Sequence, residues 1–188
     1  LNRNARVVSE PRWWFFRERL DLFWRRIRDL KALREDIKGR LRSFLDQESI
    51  VDSPHALVQC STDATGLVME GPLLVLFPET TGQIQAIVRL AHELKFHLVP
   101  RGGGSGLTGG AVPAMSRAVI LSLSRMKSII RVDEQRMTIR SQAGVTTSTA
   151  IEAADRAGLL LTVDPASKSA SSLGGNIAEN AGGPYAFE

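Results

Sequence analysis

Six glycines crowd into nine positions of the segment PRGGGSGLTGGAVP, residues 100–113, directly after the short apolar run HLVP. Gly102, Gly103, Gly104, Gly106, Gly109 and Gly110 have no Cβ, so this backbone can take positive φ and approach a ligand closely. Successive N–H groups in such a loop converge on an anion as a nest. Ser105 and Thr108 add hydroxyl donors, and Arg101 adds positive charge. A loose surface loop would be an entropically expensive use of so much glycine. The placement after a strand suits a phosphate or a pyrophosphate.

Two familiar nucleotide loops do not fit. No Lys-Ser or Lys-Thr follows the last glycine, as a Walker A loop requires. Gly104, Gly106 and Gly109 spell G-x-G-x-x-G, but Pro113 spoils the helix that should follow, and residues 121–125 contain no acidic side chain. A Rossmann site for a nicotinamide cofactor is therefore set aside.

A second glycine-rich segment, VDPASKSASSLGGNIAENAGGP, covers residues 163–184, about sixty positions later. Gly174–Gly175 and Gly182–Gly183 flank a short candidate helix carrying Asn176 and Asn180. Alone, it reads equally as a tight structural turn. Paired with the first loop, it suits a long dinucleotide, with Ser171 and Ser172 as donors to phosphate oxygens.

Between and before these segments the pattern alternates strand and helix. LLVLF at 73–77 is a continuous apolar run, as for a strand covered on both faces. Thr80 or Thr81 caps a helix to about Lys95, with Ile84, Ile87, Val88, Ala91 and Leu94 on one face. HLVP and AVILSL (118–123) follow as strands, which predicts an α/β unit with parallel pairing. SIIRVD (128–133) and MTIRSQAG (137–144) then read as a hairpin. Val145–Ala157 reads as a helix ending at Gly158, and LLLTVD (159–164) as another strand.

The first fifty residues differ. They hold thirteen Lys/Arg against eight Asp/Glu, whereas the remaining residues are close to neutral. That remainder shows no electrostatic footprint for nucleic acid. From about Pro11 to Gln47 the spacing predicts a basic amphipathic helix, with Leu20, Phe23, Ile27, Leu30, Ile37, Leu41 and Phe44 on one stripe. Arg34 interrupts the stripe and Gly39 is a point of division into two helices. Trp13, Trp14, Phe15, Phe16 and Trp24 give its start an aromatic character. Docking on the protein body, or on a part of it missing from this sequence, is the first reading of this stripe. A peripheral membrane contact through residues 11–30 is the second, and a coiled-coil partner the third. The expected layout is thus a helical extension at 1–50, a polar connector at 51–69, and an incomplete domain at 70–188. No apolar run is long enough to span a bilayer, and no signal peptide is visible. Cys60 is the sole cysteine and has no internal disulfide partner, so it reads as an inert thiol of a reducing, cytoplasmic compartment. A start at Leu1 and an end just after a glycine-rich segment lead to the expectation of a fragment.

RGGGSGLTGG and DPASKSASSLGGNIAENAGG, with their spacing and with EGPLLVLFPETTGQIQAIVRLAHELKFHLVPRGGG ahead, resemble the FAD-binding domain of the vanillyl-alcohol oxidase / p-cresol methylhydroxylase flavoproteins. The likeness covers roughly residues 60–187 and is strongest to the D-lactate dehydrogenase and glycolate oxidase FAD-subunit branch. It implies an α+β fold of two α/β subdomains, the first with parallel strands and the second with an antiparallel hairpin, truncated at its C-terminus. It implies that Arg101, Gly102, Gly103, Gly104, Ser105, Gly106 and Thr108 wrap the FAD pyrophosphate. Pro165, Ser172, Gly174, Gly175 and Asn176 are then expected along the second side of the cofactor. Members that attach flavin through a histidine in the first loop carry it four residues after the arginine. Ser105 stands there, so the FAD is expected to be noncovalent.

The same resemblance implies a 2-hydroxy-acid dehydrogenase or oxidase passing hydride from a substrate such as D-lactate or glycolate to flavin N5. Electrons would then pass to a quinone or an iron–sulfur protein. STDATGLVMEGPLLVLFP is similar to a subgroup of large bacterial FAD/FMN-containing dehydrogenases, some with an N-terminal extension and a C-terminal iron–sulfur region. Other alcohol or sugar substrates remain open on this fold, as does an inactive fragment. The cap that supplies catalytic groups lies outside these residues, so no catalytic residue is assigned. His55, His92 and His97 lie near neither glycine loop in sequence and lack metal-ligand spacing.

Overall fold

The computed structural model describes residues 13–185. The first element, α1 (Trp13–Leu41), is one continuous helix of 29 residues. Gly39 does not divide it, because a glycine in the final turn costs too little to break a helix whose end is packed. It stops at Leu41, short of the expected 47, and residues 11 and 12 of the expected helix lie outside the described residues. Ile37, Leu41 and Leu45 are buried in one core with Leu74, Leu76, Ile87, Phe96, Val119 and Leu121. The stripe therefore docks at its C-terminal end. Further upstream, Leu20 and Phe23 are exposed.

The polar connector contains structure. β1 (Ile50–Val51) pairs antiparallel with β2 (Leu74–Leu76), Ile50 opposite Leu76. Between them lies α2 (Pro54–Gln59), with Ser53 as its N-cap and Pro54 at the first turn. Two strand residues and six helical residues give too few periods to register as a pattern.

Next come α3 (Thr81–Leu94), β3 (His97–Arg101) and β4 (Ala118–Ser122). Thr80 accepts from the Gln83 amide while the Gln83 side chain returns the bond, a complete capping box. The sheet order is β1-β2-β4-β3, with β2, β4 and β3 parallel. β4 sits between strands that precede it in the chain, and all five of its residues are buried. The glycine-rich loop is the crossover from β3 back to β4.

The second unit pairs β5 (Ile129–Asp133) with β6 (Thr138–Ser141) as an antiparallel hairpin, bulged between Ile129 and Arg131. Two helices follow, α4 (Thr147–Arg156), capped by Thr146, and α5 (Leu173–Ala178), capped by Ser172. Gly158, at φ 69°, turns the chain out of α4.

Residues 159–164 do not form the expected strand. Leu159 bonds back to Ala154, and Asp164 donates to Gly182. No ladder partner lies alongside among the described residues, and an apolar run without a neighbouring strand has nothing to pair with. Among the described residues no helix is long and apolar enough to cross a membrane.

Candidate functional site

The two glycine-rich segments meet. A cleft of about 400 Å³ is lined on one side by residues 100–106 with Thr108, Gly110 and Ala111, and on the other by Ser171, Ser172, Gly174, Gly175, Asn176 and Glu179. Its size falls in the range of small-molecule and cofactor sites. Every predicted site residue lines it except Pro165, whose carbonyl caps the turn at Lys168.

Close backbone contact explains several of the glycines. A Cβ at Gly102 would strike the Ser172 hydroxyl, and one at Gly103 would strike the Ala170 carbonyl. At Gly174 a Cβ would come within 2.7 Å of the Ala143 methyl. The two segments are therefore pressed together over their glycines. Gly106 differs: a Cβ there would meet nothing within 4 Å, although the residue lines the cleft. No neighbour among the described residues demands a glycine at that point. A ligand lying against the loop would, and in this respect the cradle fits a bulky, phosphate-bearing group.

Arg101 does not reach freely into the cleft. Its guanidinium donates to the Ala111 carbonyl at 2.9 Å and to the Gln59 carbonyl at 3.5 Å, and it folds over Gly104. A Cβ at Gly104 would strike that side chain, and its φ of 67° also favours glycine. Arg101 thus braces both ends of the loop and ties it to α2.

On the opposite wall, the Ser172 hydroxyl accepts from the Gly175 amide at 3.2 Å, and its own hydrogen stays available for donation. Asn176 is buried, its amide turned inward to Thr147, so it holds the wall in shape. Ser105 and Ser167 line the cleft without such engagement of their hydroxyls among the described residues.

Several lining residues carried no sequence signal as site residues. Asp63, from the connector, faces the loop. The Thr65 hydroxyl holds its carboxyl below the usual carboxylate range, with smaller help from the Thr65 amide, the Arg101 charge and the Gly109 amide, against the opposing effect of burial. Glu179, Ser167, Leu123 and Ala143 also lie on the wall. Only folding brings these positions together; no local spacing announces them. His55 and His92 sit in α2 and α3, and His97 begins β3, so none of the three lines the cleft.

Comparison with known proteins gives a consistent picture. A family model described as FAD binding domain matches residues 72–188. The glycolate oxidase subunit GlcD of Escherichia coli (strain K12) is 34% identical over 159 residues, covering 85% of this chain and 30% of that protein. The D-2-hydroxyglutarate dehydrogenase of Stutzerimonas stutzeri (strain A1501) is 36% identical over 143 residues, covering 76% of this chain and 31% of that protein. Among solved structures, alkyldihydroxyacetonephosphate synthase superposes with a TM-score of 0.72 at 25% identity, covering 80% of this chain and 30% of that one. p-Cresol methylhydroxylase with substrate bound gives 0.67 at 20% identity, covering 78% and 29%, a likeness of fold alone. The chain spans about 30% of the length of the curated relatives it matches.

Proposed function

The chain belongs to the FAD binding domain family, and we propose that it forms the cofactor-binding part of a flavin-dependent oxidoreductase that oxidises a 2-hydroxy acid. The observation that carries this reading is the meeting of the two glycine-rich segments around one cleft. Relatives named as a glycolate oxidase subunit and a D-2-hydroxyglutarate dehydrogenase support the substrate class. FAD, when bound, would supply the hydride-accepting centre, and a quinone or an iron–sulfur protein is the proposed electron acceptor.

The chain's own residues bind and orient. The backbone of Gly102–Gly106 and the hydroxyls of Ser105 and Ser172 would hold the diphosphate. Gly174 and Gly175 let the second wall close. Arg101 sets the loop's shape, Asn176 keeps the second wall rigid, and Pro165 starts the turn that leads into it. With Ser105 at the position where a histidine would attach flavin, the cofactor is held noncovalently.

The test is FAD binding to the purified chain by flavin fluorescence quenching and co-elution in size exclusion. Stoichiometric binding, with all flavin released on denaturation, is expected. A folded chain that leaves FAD free would overturn the assignment of the cleft. Bleaching of the flavin in the full-length protein by D-lactate, glycolate or D-2-hydroxyglutarate tests the substrate class.

A second reading concerns location. Leu20, Leu22, Phe23 and Trp24 are exposed on α1 beside Arg17, Arg19, Arg25, Arg26 and Arg28. Aromatic and aliphatic groups among arginines suit the headgroup layer of an anionic bilayer. Peripheral contact with the cytoplasmic face of a membrane is the proposal, and it fails if the chain does not co-sediment with anionic liposomes.

A further inference from the structure

Two carboxylates line the cleft, those of Asp63 and Glu179. A carboxylate is the wrong charge to greet a diphosphate, so its presence calls for another task. Glu179 sits at the C-terminal cap of α5, where its backbone N–H donates to the Gly175 carbonyl at 2.9 Å. Its side chain leaves the second wall and crosses to the first. There the Thr108 hydroxyl donates to Glu179 Oε2 at 2.5 Å. The same hydroxyl oxygen accepts from the Gly110 amide at 3.3 Å. A Cβ at Gly110 would collide with Glu179 Oε1. The absence of a side chain at Gly110 is therefore what admits the carboxylate.

These contacts form a continuous chain: Gly175 carbonyl, Glu179 backbone and carboxylate, Thr108 hydroxyl, Gly110 amide. It joins positions 71 residues apart, just before Ala111, whose carbonyl the Arg101 guanidinium holds. Arg101 fastens the loop's base to the connector, and residues 102 and 103 rest on the 170–172 segment. The Thr108–Gly110 stretch has Glu179.

We propose that Glu179 is a positioning residue that latches the Thr108–Gly110 stretch of the glycine-rich loop to α5, so that the cofactor cleft is held at its working width before the ligand arrives. A loop of six glycines has many conformations to lose, and preorganisation moves that loss from binding to folding. This inference rests on the reading of the cleft as the FAD site for its effect on binding, but the latch itself exists without the cofactor.

The experiment has two readouts on the 188-residue chain. Hydrogen exchange is followed at residues 104–111 without cofactor, and FAD release is followed by the return of flavin fluorescence. The variants are E179A, T108V, E179Q and the double variant T108V/E179A. E179A and T108V should each speed exchange in the loop severalfold and FAD release by roughly tenfold, the worth of one hydrogen bond to a charged group. The double variant should be no worse than either alone. E179Q keeps an acceptor for the hydroxyl and should restore slow exchange and slow release. Additive losses in the double variant, unchanged exchange in E179A, or E179Q behaving as E179A would each overturn the latch. Should the parent chain leave FAD unbound, the cofactor reading fails while the exchange comparison still decides the latch.

Discussion

The Asn176 side-chain amide donates to the Thr147 hydroxyl across 2.7 Å, joining α5 to the start of α4 in a buried position. The same hydroxyl lies 2.8 Å from that of Ser171, and Thr147 is fully buried. Three polar side chains thus satisfy one another directly behind the cleft wall. Replacing Thr147 by Val keeps the shape and leaves the Asn176 amide buried without its acceptor. The expected loss is about 1–3 kcal/mol, and a melting temperature lower by roughly 2–4 °C for each kcal/mol. T147S should recover most of it. A melt of T147V that overlays the parent would show that the network contributes nothing to stability.

Gly103 and Gly106 separate structural from ligand-imposed glycine. In G103A the new methyl meets the Ala170 carbonyl, whose carbon lies 2.7 Å from the Cβ position. The backbone must move, at roughly 1–3 kcal/mol, and the thermal melt should report it. In G106A nothing within 4 Å is disturbed, so the melt should stay within about 0.5 kcal/mol of the parent. FAD affinity should nonetheless fall. Parental affinity in G106A would place the cofactor away from that residue.

The ion pair of Lys38 and Asp52, at 2.7 Å, ties α1 to the residue just after β1. The Lys38 hydrogen bond, with smaller contributions from the charges of Lys38 and Arg34, lowers the Asp52 pKa from its ordinary 3.8 against the opposing effect of burial. A depressed carboxyl stabilises the folded chain above its unfolded pKa, and that contribution is lost as pH falls through the folded value. Asp52 is 35% exposed, so solvent screening limits the pair to about 1 kcal/mol or less. D52N should therefore be less stable than the parent at neutral pH. The gap should close as pH drops below 3.8, where the parent aspartate is losing its charge. Denaturant titrations at neutral and acid pH check this, and a gap that persists in acid would assign the effect to packing.

Cys60 closes α2 and is half-buried. Burial pushes its thiol up, with the Arg101 charge pulling the other way. Less thiolate at neutral pH means slower alkylation. Iodoacetamide should label the folded chain more slowly than the denatured one. Equal rates would show a thiol that burial does not protect.

How much of this was legible before folding depends on the range of the signal. A helix cap is a local signal: Thr80 is one of the two caps the sequence offers, its capping box with Gln83 spans four residues, and α3 begins at Thr81. LLVLF announced a strand covered on both faces because a continuous apolar run needs cover on both, and AVILSL, expected as a strand, proves equally buried. The glycine loop pointed to a close approach, although not to its partner, Ala170. Glu179 and Asp63 look like ordinary surface carboxylates in the sequence, since their neighbours are 71 residues away in one case and on another element in the other. LLLTVD misled because an apolar run reports burial and β-propensity, whereas a strand also needs a neighbour. Arg34 looked like a break in the α1 stripe, yet the helix passes through it unbroken.

The order β1-β2-β4-β3 has a consequence for synthesis. β2 and β3 leave the ribosome before the strand that lies between them, Ala118–Ser122, which pairs with both. Until that stretch emerges, the two earlier strands have no ladder in common, and the glycine-rich crossover is an open tether. Insertion of β4 closes the tether into a loop in the same event that completes the sheet. The first wall of the cleft and the hydrophobic core are thus finished together, and the second wall, residues 171–179, joins them only after about fifty further residues have emerged.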